Sequence, residues 1–254
     1  MTDELIARAR ELIARPGRAL LGVAGAPASG KSTLAERLVA ALGDDAVLVP
    51  MDGFHLDDAV LRRHGSWERK GAIDTFDDAG FADLLHRLRA AEGTVYAPRF
   101  DRGLEASIGG AIEVGPEVPL VVTEGNYLLA ESGAWPRARA ALDEVWFLRI
   151  DPVLRRERLI ARHMRFGRGP EEARARADGT DEVNARLIEA TAARAERRRF
   201  ASSKLANRLA VPRTSRRIRR SSQASTASWA PMRVSRALIP SPSRTTTRST
   251  PRTS

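Results

Sequence analysis

The sequence predicts an α/β chain built on a parallel sheet covered on both faces, and three observations carry that prediction. Short apolar runs alternate with helix-patterned segments, a glycine-rich turn joins the first run to the first long helix, and charge divides sharply along the chain. Residues 4–15 place Leu5, Ile6, Leu12 and Ile13 at helical spacing, a short amphipathic helix closed by Pro16-Gly17. Ala19–Ala24 reads as a buried strand, and a helix follows from about Lys31 to Leu42, stopped by Gly43. Residues 46–49 form a second buried strand. Phe81, Leu84, Leu85 and Leu88 mark a helix over 78–91. Residues 120–123 and 145–150 read as further buried strands, and 151–164 and 181–195 as helices. No internal repeat is present.

Bulk properties narrow the classes. The chain has 254 residues and is 43% hydrophobic, enough for one well-cored domain. No stretch reaches the roughly 18–20 apolar residues that span a bilayer. The acidic start, Met1-Thr2-Asp3-Glu4, is not that of a signal peptide, so a cytoplasmic location is the simplest expectation. Cysteine is absent, which excludes disulfides, thiolate catalysis and Cys-based metal sites.

The net charge of +10 belongs to one end. Residues 197–254 hold 15 Lys and Arg and no Asp or Glu; the totals of 42 and 32 leave 27 basic against 32 acidic residues, or −5, in 1–196. The folded part is therefore not expected to bind nucleic acid. The Ser-, Thr-, Pro- and Arg-rich end cannot bury enough surface to offset chain entropy, so 1–196 is expected to fold and 197–254 to be a disordered basic tail. Its origin has two readings. With 39 Arg and 3 Lys the gene looks GC-rich, and an out-of-frame stretch near Glu196 gives such a run. A native basic tail that touches RNA, DNA or anionic lipid is the other.

The segment Gly25-Ala26-Pro27-Ala28-Ser29-Gly30-Lys31-Ser32, followed by Thr33, fits G-x-x-x-x-G-K-[ST] between a strand and a helix. Glycines at these points let the backbone curl until successive N–H groups converge on phosphate oxygens. The helix start adds partial positive charge. Lys31 supplies a mobile charge for the β/γ-phosphates, and the Ser32 hydroxyl suits a Mg²⁺ ion. A glycine turn that merely caps a helix is the plain alternative.

Two carboxylates stand at strand ends on the same sheet edge. The second strand runs into Pro50-Met51-Asp52-Gly53-Phe54-His55, and the strand at 120–123 into Glu124-Gly125-Asn126-Tyr127. Carboxylates there suit proton acceptance from an attacking hydroxyl and the holding of Mg²⁺. An Asp-Gly turn and a solvated strand end are the alternatives. Asp74 lies in the charge-dense loop after Arg69-Lys70-Gly71, where a carboxylate could accept from substrate hydroxyls or cap the next helix. Arg155, Arg158, Arg162 and Arg165 recur at spacings of three and four, followed by Arg168 in a flexible-looking turn. An arginine-bearing lid there would charge-stabilise phosphoryl transfer; a solvated face paired with Glu157 and Glu171 is the other reading.

Five blocks resemble uridine kinase-like proteins of the phosphoribulokinase/uridine kinase superfamily. They are residues 25–33, Met51-Asp52-Gly53-Phe54, Lys70-Gly71-Ala72-Ile73-Asp74-Thr75-Phe76-Asp77, Tyr96-Ala97-Pro98-Arg99-Phe100-Asp101-Arg102 and Glu124-Gly125-Asn126-Tyr127. The likeness spans about residues 15–195, and its acceptor region looks closer to the bacterial fructose-kinase-like and pantothenate-kinase-like branches. It implies a three-layer α/β/α P-loop nucleoside-triphosphate hydrolase fold and ATP-dependent phosphorylation of a hydroxyl on a small metabolite, with ATP and Mg²⁺ as cofactors. By the resemblance, Asp52 is the general base, Ser32 and Glu124 belong to the magnesium site, and Asp74 lies in the acceptor pocket. Phe54, His55, Tyr96, Arg99 and Arg102 are candidates to line that pocket. Arg162 and Arg168 are candidates to act on the transferred group, and Arg158 on the nucleotide. A homodimer is compatible with the resemblance. After Thr191-Ala192-Ala193-Arg194-Ala195 the family pattern continues with Asp and a short apolar strand, where this chain has Glu196-Arg197-Arg198-Arg199-Phe200, so the last strand is expected to be in doubt. A regulatory ATPase without a small acceptor, or a catalytically silent protein acting through its tail, are the competing functions. A GTPase is disfavoured, since no Asn-Lys-x-Asp motif is present.

Overall fold

A computed structural model describes residues 2–200, and the expected tail beyond Phe200 lies outside the described residues. Helix α1 (Thr2–Ile13) buries Leu5, Ala9 and Leu12, and strand β1 (Ala19–Ala24) is buried throughout. Helix α2 (Lys31–Leu42) starts at Gly30 and presents Leu34, Ala35, Leu38 and Leu42 to the core. Strand β2 (Ala46–Leu48) leads into a 3-10 turn, Met51–Phe54. Helix α3 (Asp58–Arg63) is capped by Asp57, which accepts from the Ala59 N–H at 2.8 Å. Two short 3-10 turns, Trp67–Arg69 and Ile73–Thr75, precede helix α4 (Asp78–Ala90), capped by Asp77.

Strands β3 (Val95–Asp101) and β4 (Ala106–Val114) form a separate antiparallel hairpin. Strand β5 (Leu120–Gly125), helix α5 (Trp135–Ala140) and strand β6 (Glu144–Arg149) follow. Helix α6 (Pro152–Arg165) opens with Asp151 accepting from the Val153 and Leu154 N–H groups, and with proline in its first turn. Helices α7 (Pro170–Asp178) and α8 (Thr180–Ala190) lead to strand β7 (Arg197–Phe200).

The sheet is wholly parallel, in the order β2-β5-β1-β6-β7. Its central strands alternate with period two between two cores. Leu20, Ala24, Val121, Val145 and Phe147 face the side filled by α4, α5 and α8; Ala19, Leu21, Val23, Leu120, Val122, Trp146 and Leu148 face α1 and α2. Both faces being covered is why these strands read as continuous apolar runs. The fold is the three-layer α/β/α arrangement.

The structure revises four readings. Residues 197–200 are not tail: β7 pairs with β6 from Trp146↔Arg197 to Arg149↔Phe200, so the folded unit runs past the 196 boundary and the expected gap at the sheet edge is filled. Pairing at an edge needs backbone groups in register rather than apolar side chains on both faces. The helix expected over 181–195 ends at Ala190, where a 3-10 turn, Ala192–Arg194, takes over. Helix α7 and the β3–β4 hairpin stand where no element was expected. The hairpin lies outside the main sheet with much of β4 exposed, so it lacks the apolar run of a buried strand.

Candidate active site

The turn between β1 and α2 is shaped to receive an anion. Gly25 (φ 156°), Ala28 (φ 64°) and Gly30 (φ 95°) have positive φ, which turns the backbone inward before the helix start. Ala28 takes this conformation without being glycine, a local cost of about 1 kcal/mol that functional loops commonly carry. Gly25 admits no side chain, because an added Cβ would stand 2.7 Å from the Leu148 carbonyl oxygen and from the Ser29 hydroxyl. Ala26 and Ser29 are fully buried behind the loop, while Ala28, Gly30, Lys31, Ser32 and Thr33 line a cavity of about 980 Å³.

Beside the loop, the Ser32 hydroxyl donates to Glu124 Oε1 at 3.0 Å, and Lys31 Nζ lies 3.9 Å from Glu124 Oε2. Burial pushes the Lys31 ammonium below its ordinary value, against the pull of Glu124 and Asp52. Burial likewise pushes Glu124 up, with Lys31 opposing. The Ser29 hydroxyl, Glu124 Oε2 and the Asn126 side-chain oxygen are buried without a hydrogen-bond partner among the described residues. Such orphaned groups are costly unless a ligand engages them. The donor set fits a polyphosphate and a hard cation, with hydroxyl and carboxylate oxygens adjacent to an ammonium. Among the described residues no group of three His, Cys, Asp or Glu side chains could hold a metal alone, so phosphate and water oxygens would have to complete its shell.

Asp52 sits across the same cavity in the turn after β2. Arg102 Nη2 donates to its Oδ2 at 2.6 Å. Burial by itself would raise the Asp52 carboxyl; the charges of His55, Arg102, Lys31 and Arg162 outweigh it and hold the group below the usual carboxylate range. Burial pushes His55 down as well, against the pull of Asp52. The His55 ring stacks between Phe76 (4.1 Å) and Phe100 (4.7 Å), and its Nδ1 lies 2.8 Å from the Asp52 carbonyl oxygen.

Helix α6 closes the far side. Arg158, Arg162, Arg165 and Arg168 line the cavity, and among the described residues Arg162 has no hydrogen bond or ion pair. Burial lowers the Arg158 and Arg162 guanidinium pKa values. Arg168 is ion-paired with Glu172, a partner one turn away in α7.

Four residues expected in the acceptor pocket lie elsewhere. Asp74 is 49% exposed, does not line the cavity and is ion-paired with Arg69. Tyr96 is 56% exposed, on the face of β3 opposite buried Val95 and Ala97, and Arg99 is exposed as well, beyond a register shift between Ala97 and Arg99. Phe54 turns into the core against Phe81, ring centroids 5.3 Å apart.

Other residues enter the cavity that sequence reading did not assign. Lys70 binds Asp58 Oδ1 at 2.7 Å and the Glu105 carbonyl at 2.8 Å. Arg176 donates to the Glu68 and Lys70 carbonyls. Asn184 donates to the Gly71 carbonyl at 3.3 Å, which also accepts at 2.7 Å from Tyr127 in the core behind it. His163 and Asp181 are 2.6 Å apart. Lys70 did leave a signal: only three lysines occur beside 39 arginines, and one is the lysine of the phosphate loop.

An anion cradle, two carboxylates at strand ends and an arginine-bearing helix around one cavity belong to the P-loop phosphotransferases. Known proteins agree. A Schizosaccharomyces pombe protein named as a uridine kinase is 35% identical over 199 residues, 74% of this chain and 85% of that one. A solved structure from Silicibacter sp. TM1040, named as a fructose transport system kinase, is 41% identical with TM-score 0.73, covering 78% of this chain and 98% of its own. The pantothenate kinase of Bacillus subtilis is 30% identical over 115 residues, 43% of this chain and 36% of that enzyme. No family model matches the chain. The chain belongs to the uridine kinase-like P-loop kinases of the phosphoribulokinase/uridine kinase superfamily, and it is a small-molecule kinase.

Proposed function

We propose that this kinase transfers the γ-phosphoryl group of MgATP to a hydroxyl of a small sugar, with D-fructose the first acceptor to test. The observation that carries the reading is the reach of the cavity. Its lining takes in the phosphate loop and Asp52 and also His55, Asp58, Lys70, Phe100 and Asn184. At about 980 Å³ it stands at the upper end of the roughly 300–1,000 Å³ typical of small-ligand sites, which supports two ligands end to end. A regulatory ATPase has no use for room beyond its nucleotide. Interleaved acidic and basic groups with aromatic walls suit a neutral polyhydroxylated ligand, which both donates and accepts and has apolar C–H faces. The likeness to the Silicibacter kinase supports the same choice.

In this reading Asp52 accepts the proton of the acceptor hydroxyl as its oxygen bonds the γ-phosphorus and the bond to the ADP oxygen breaks. The loop N–H groups and Lys31 hold the β- and γ-phosphate oxygens, and Arg162 meets charge on the transferred group. A magnesium ion held by Ser32 and Glu124 would supply further neutralisation of the phosphate oxygens. Asp52 is a weak base while three cations surround it; the arriving polyphosphate offsets that positive charge and makes it a better one.

ADP release measured with D-fructose, uridine and pantothenate tests the proposal. Acceptor-dependent release is expected with the sugar, and loss of about 100-fold or more for Asp52→Asn or Lys31→Met. Steady hydrolysis that ignores every acceptor would sink it.

A further inference from the structure

The contact between Asp52 and Arg102 joins residues 50 positions apart, and the structure is built to hold it. Arg102 opens the turn of the β3–β4 hairpin. Asp101 Oδ1 fixes that turn by accepting from the Gly103 and Leu104 N–H groups at 2.8 and 3.1 Å. Lys70 pins its far end through the Glu105 carbonyl. The guanidinium lies 5.8 Å from the Phe100 ring centroid, so its approach is supported from below. At the other end the hairpin rests directly on the Asp52 turn. A Cβ at Gly53 would collide with the Pro98 carbonyl, and the Ser107 hydroxyl donates to the His55 carbonyl at 3.3 Å. The hairpin is thus held to the Asp52 turn by a close backbone approach and by a side-chain hydrogen bond. Lys31 from α2, Arg162 from α6, His55 from the same turn and Glu124 from β5 also act on the carboxylate. Among the described residues, only Arg102 hydrogen-bonds it.

We propose that Arg102 is a positioning residue for phosphoryl transfer: it fixes the Asp52 carboxylate through Oδ2 and leaves Oδ1 to receive the acceptor hydroxyl. This rests on Asp52 being the proton acceptor. An aspartate has two carboxylate oxygens and a rotatable χ2, and a proton acceptor must meet its hydroxyl in one orientation. Anchoring one oxygen from a rigid hairpin removes that freedom before the acceptor arrives. The arrangement differs from an acceptor-binding role for Arg102, which would show in acceptor affinity rather than in turnover.

The test compares Arg102→Met, Arg102→Gln and Arg102→Lys with the unaltered full chain, using MgATP and D-fructose, uridine and pantothenate as acceptors. Arg102→Met is expected to lower kcat about 10–100-fold with the KM for MgATP unchanged, and Arg102→Lys to recover part of the loss. Arg102→Gln serves if the Met variant does not fold. An unchanged kcat with a raised acceptor KM would overturn the proposal in favour of an acceptor contact. Joint loss of kcat, MgATP affinity and thermal stability would overturn it in favour of a structural pair. Asp52→Asn separates the two layers: if it still transfers phosphoryl groups, the reading of Asp52 fails, and the role of Arg102 falls with it. If it does not, the Arg102 variants alone decide.

Discussion

Gly53→Ala tests whether the hairpin sets the site. The added Cβ would stand 2.8 Å from the Pro98 carbonyl carbon and closer still to its oxygen, whereas real Cβ atoms are essentially never within 3.0 Å. Restoring an ordinary separation of about 3.5 Å to the carbon requires the hairpin to retreat by roughly 0.7 Å. The 2.6 Å bond from Arg102 to Asp52 spans the same interface, and the same retreat stretches it to about 3.3 Å, beyond normal hydrogen-bond length. Misplacement on the ångström scale costs about 10–100-fold in turnover. Overpacking costs about 1–3 kcal/mol, and at about 2–4 °C per kcal/mol for a unit of this size the Tm falls by roughly 2–12 °C. Gly109→Ala, in the same hairpin with no atom within 4 Å of its added Cβ, is the control and should leave turnover unchanged. Steady-state kinetics and thermal unfolding measure both. Turnover at the unaltered level in a folded Gly53→Ala protein would refute the claim that hairpin seating governs the Asp52–Arg102 geometry.

Two further outcomes are expected. The hydrogen bond from Lys70 holds the Asp58 carboxyl below its ordinary value, against burial, with Trp67 and Arg62 adding to it. A depressed folded-state value means that the pair stabilises the fold above the unfolded carboxylate value of about 3.9 and loses its effect as pH falls through the lower folded one. The unfolding free energy of the unaltered protein should therefore exceed that of Asp58→Asn at neutral pH, and the gap should close in acid; a gap independent of pH would count against the pair. A chain ending at Glu196, compared by urea unfolding with one ending at Phe200, should lose about 1–4 kcal/mol through the broken ladder to β6. Equal stability would mean that β7 contributes nothing.

What the sequence made legible was whatever local chemistry dictates. Ala19–Ala24 and the runs at 120 and 145 announce strands because both faces are buried, so their apolar residues are consecutive and polar ones come only at the ends. The phosphate loop is legible because its function is executed by backbone amides, which demand glycine at fixed intervals. Arg197-Arg198-Arg199-Phe200 hides its strand because register with β6, not apolar patterning, makes it. Asp74 and Asp52 look alike on paper, each an aspartate within three residues of a glycine between predicted elements. Only three-dimensional placement shows that Arg69 holds the first outside the cavity while Arg102 meets the second within it. Arg102 itself looks like one of 39 arginines until the hairpin brings it across.

The electrostatics of the cleft explain why these pieces belong to one site. Lys31, Glu124 and Asp52 lie together out of water, where burial opposes the charged form of each. Among the described residues, Ser29 and Glu124 keep oxygens without hydrogen-bond partners, Ala28 holds a left-handed conformation, and Arg162 faces the cavity without an ion pair. A region selected for stability alone would not combine all four, since each costs free energy, and at Glu124 and Arg162 the charges of Lys31 and Asp181 only oppose the cost of burial. In the proposed reading one ligand engages those that face the cavity: a polyphosphate with its cation would offer acceptors to Lys31 and Arg162 and a positive charge to Glu124. The stability given up here is confined to the loop and to the residues facing it, while β1, β5 and β6 behind them are fully packed. The sheet is the rigid support that keeps an otherwise unfavourable cluster in place until substrate arrives.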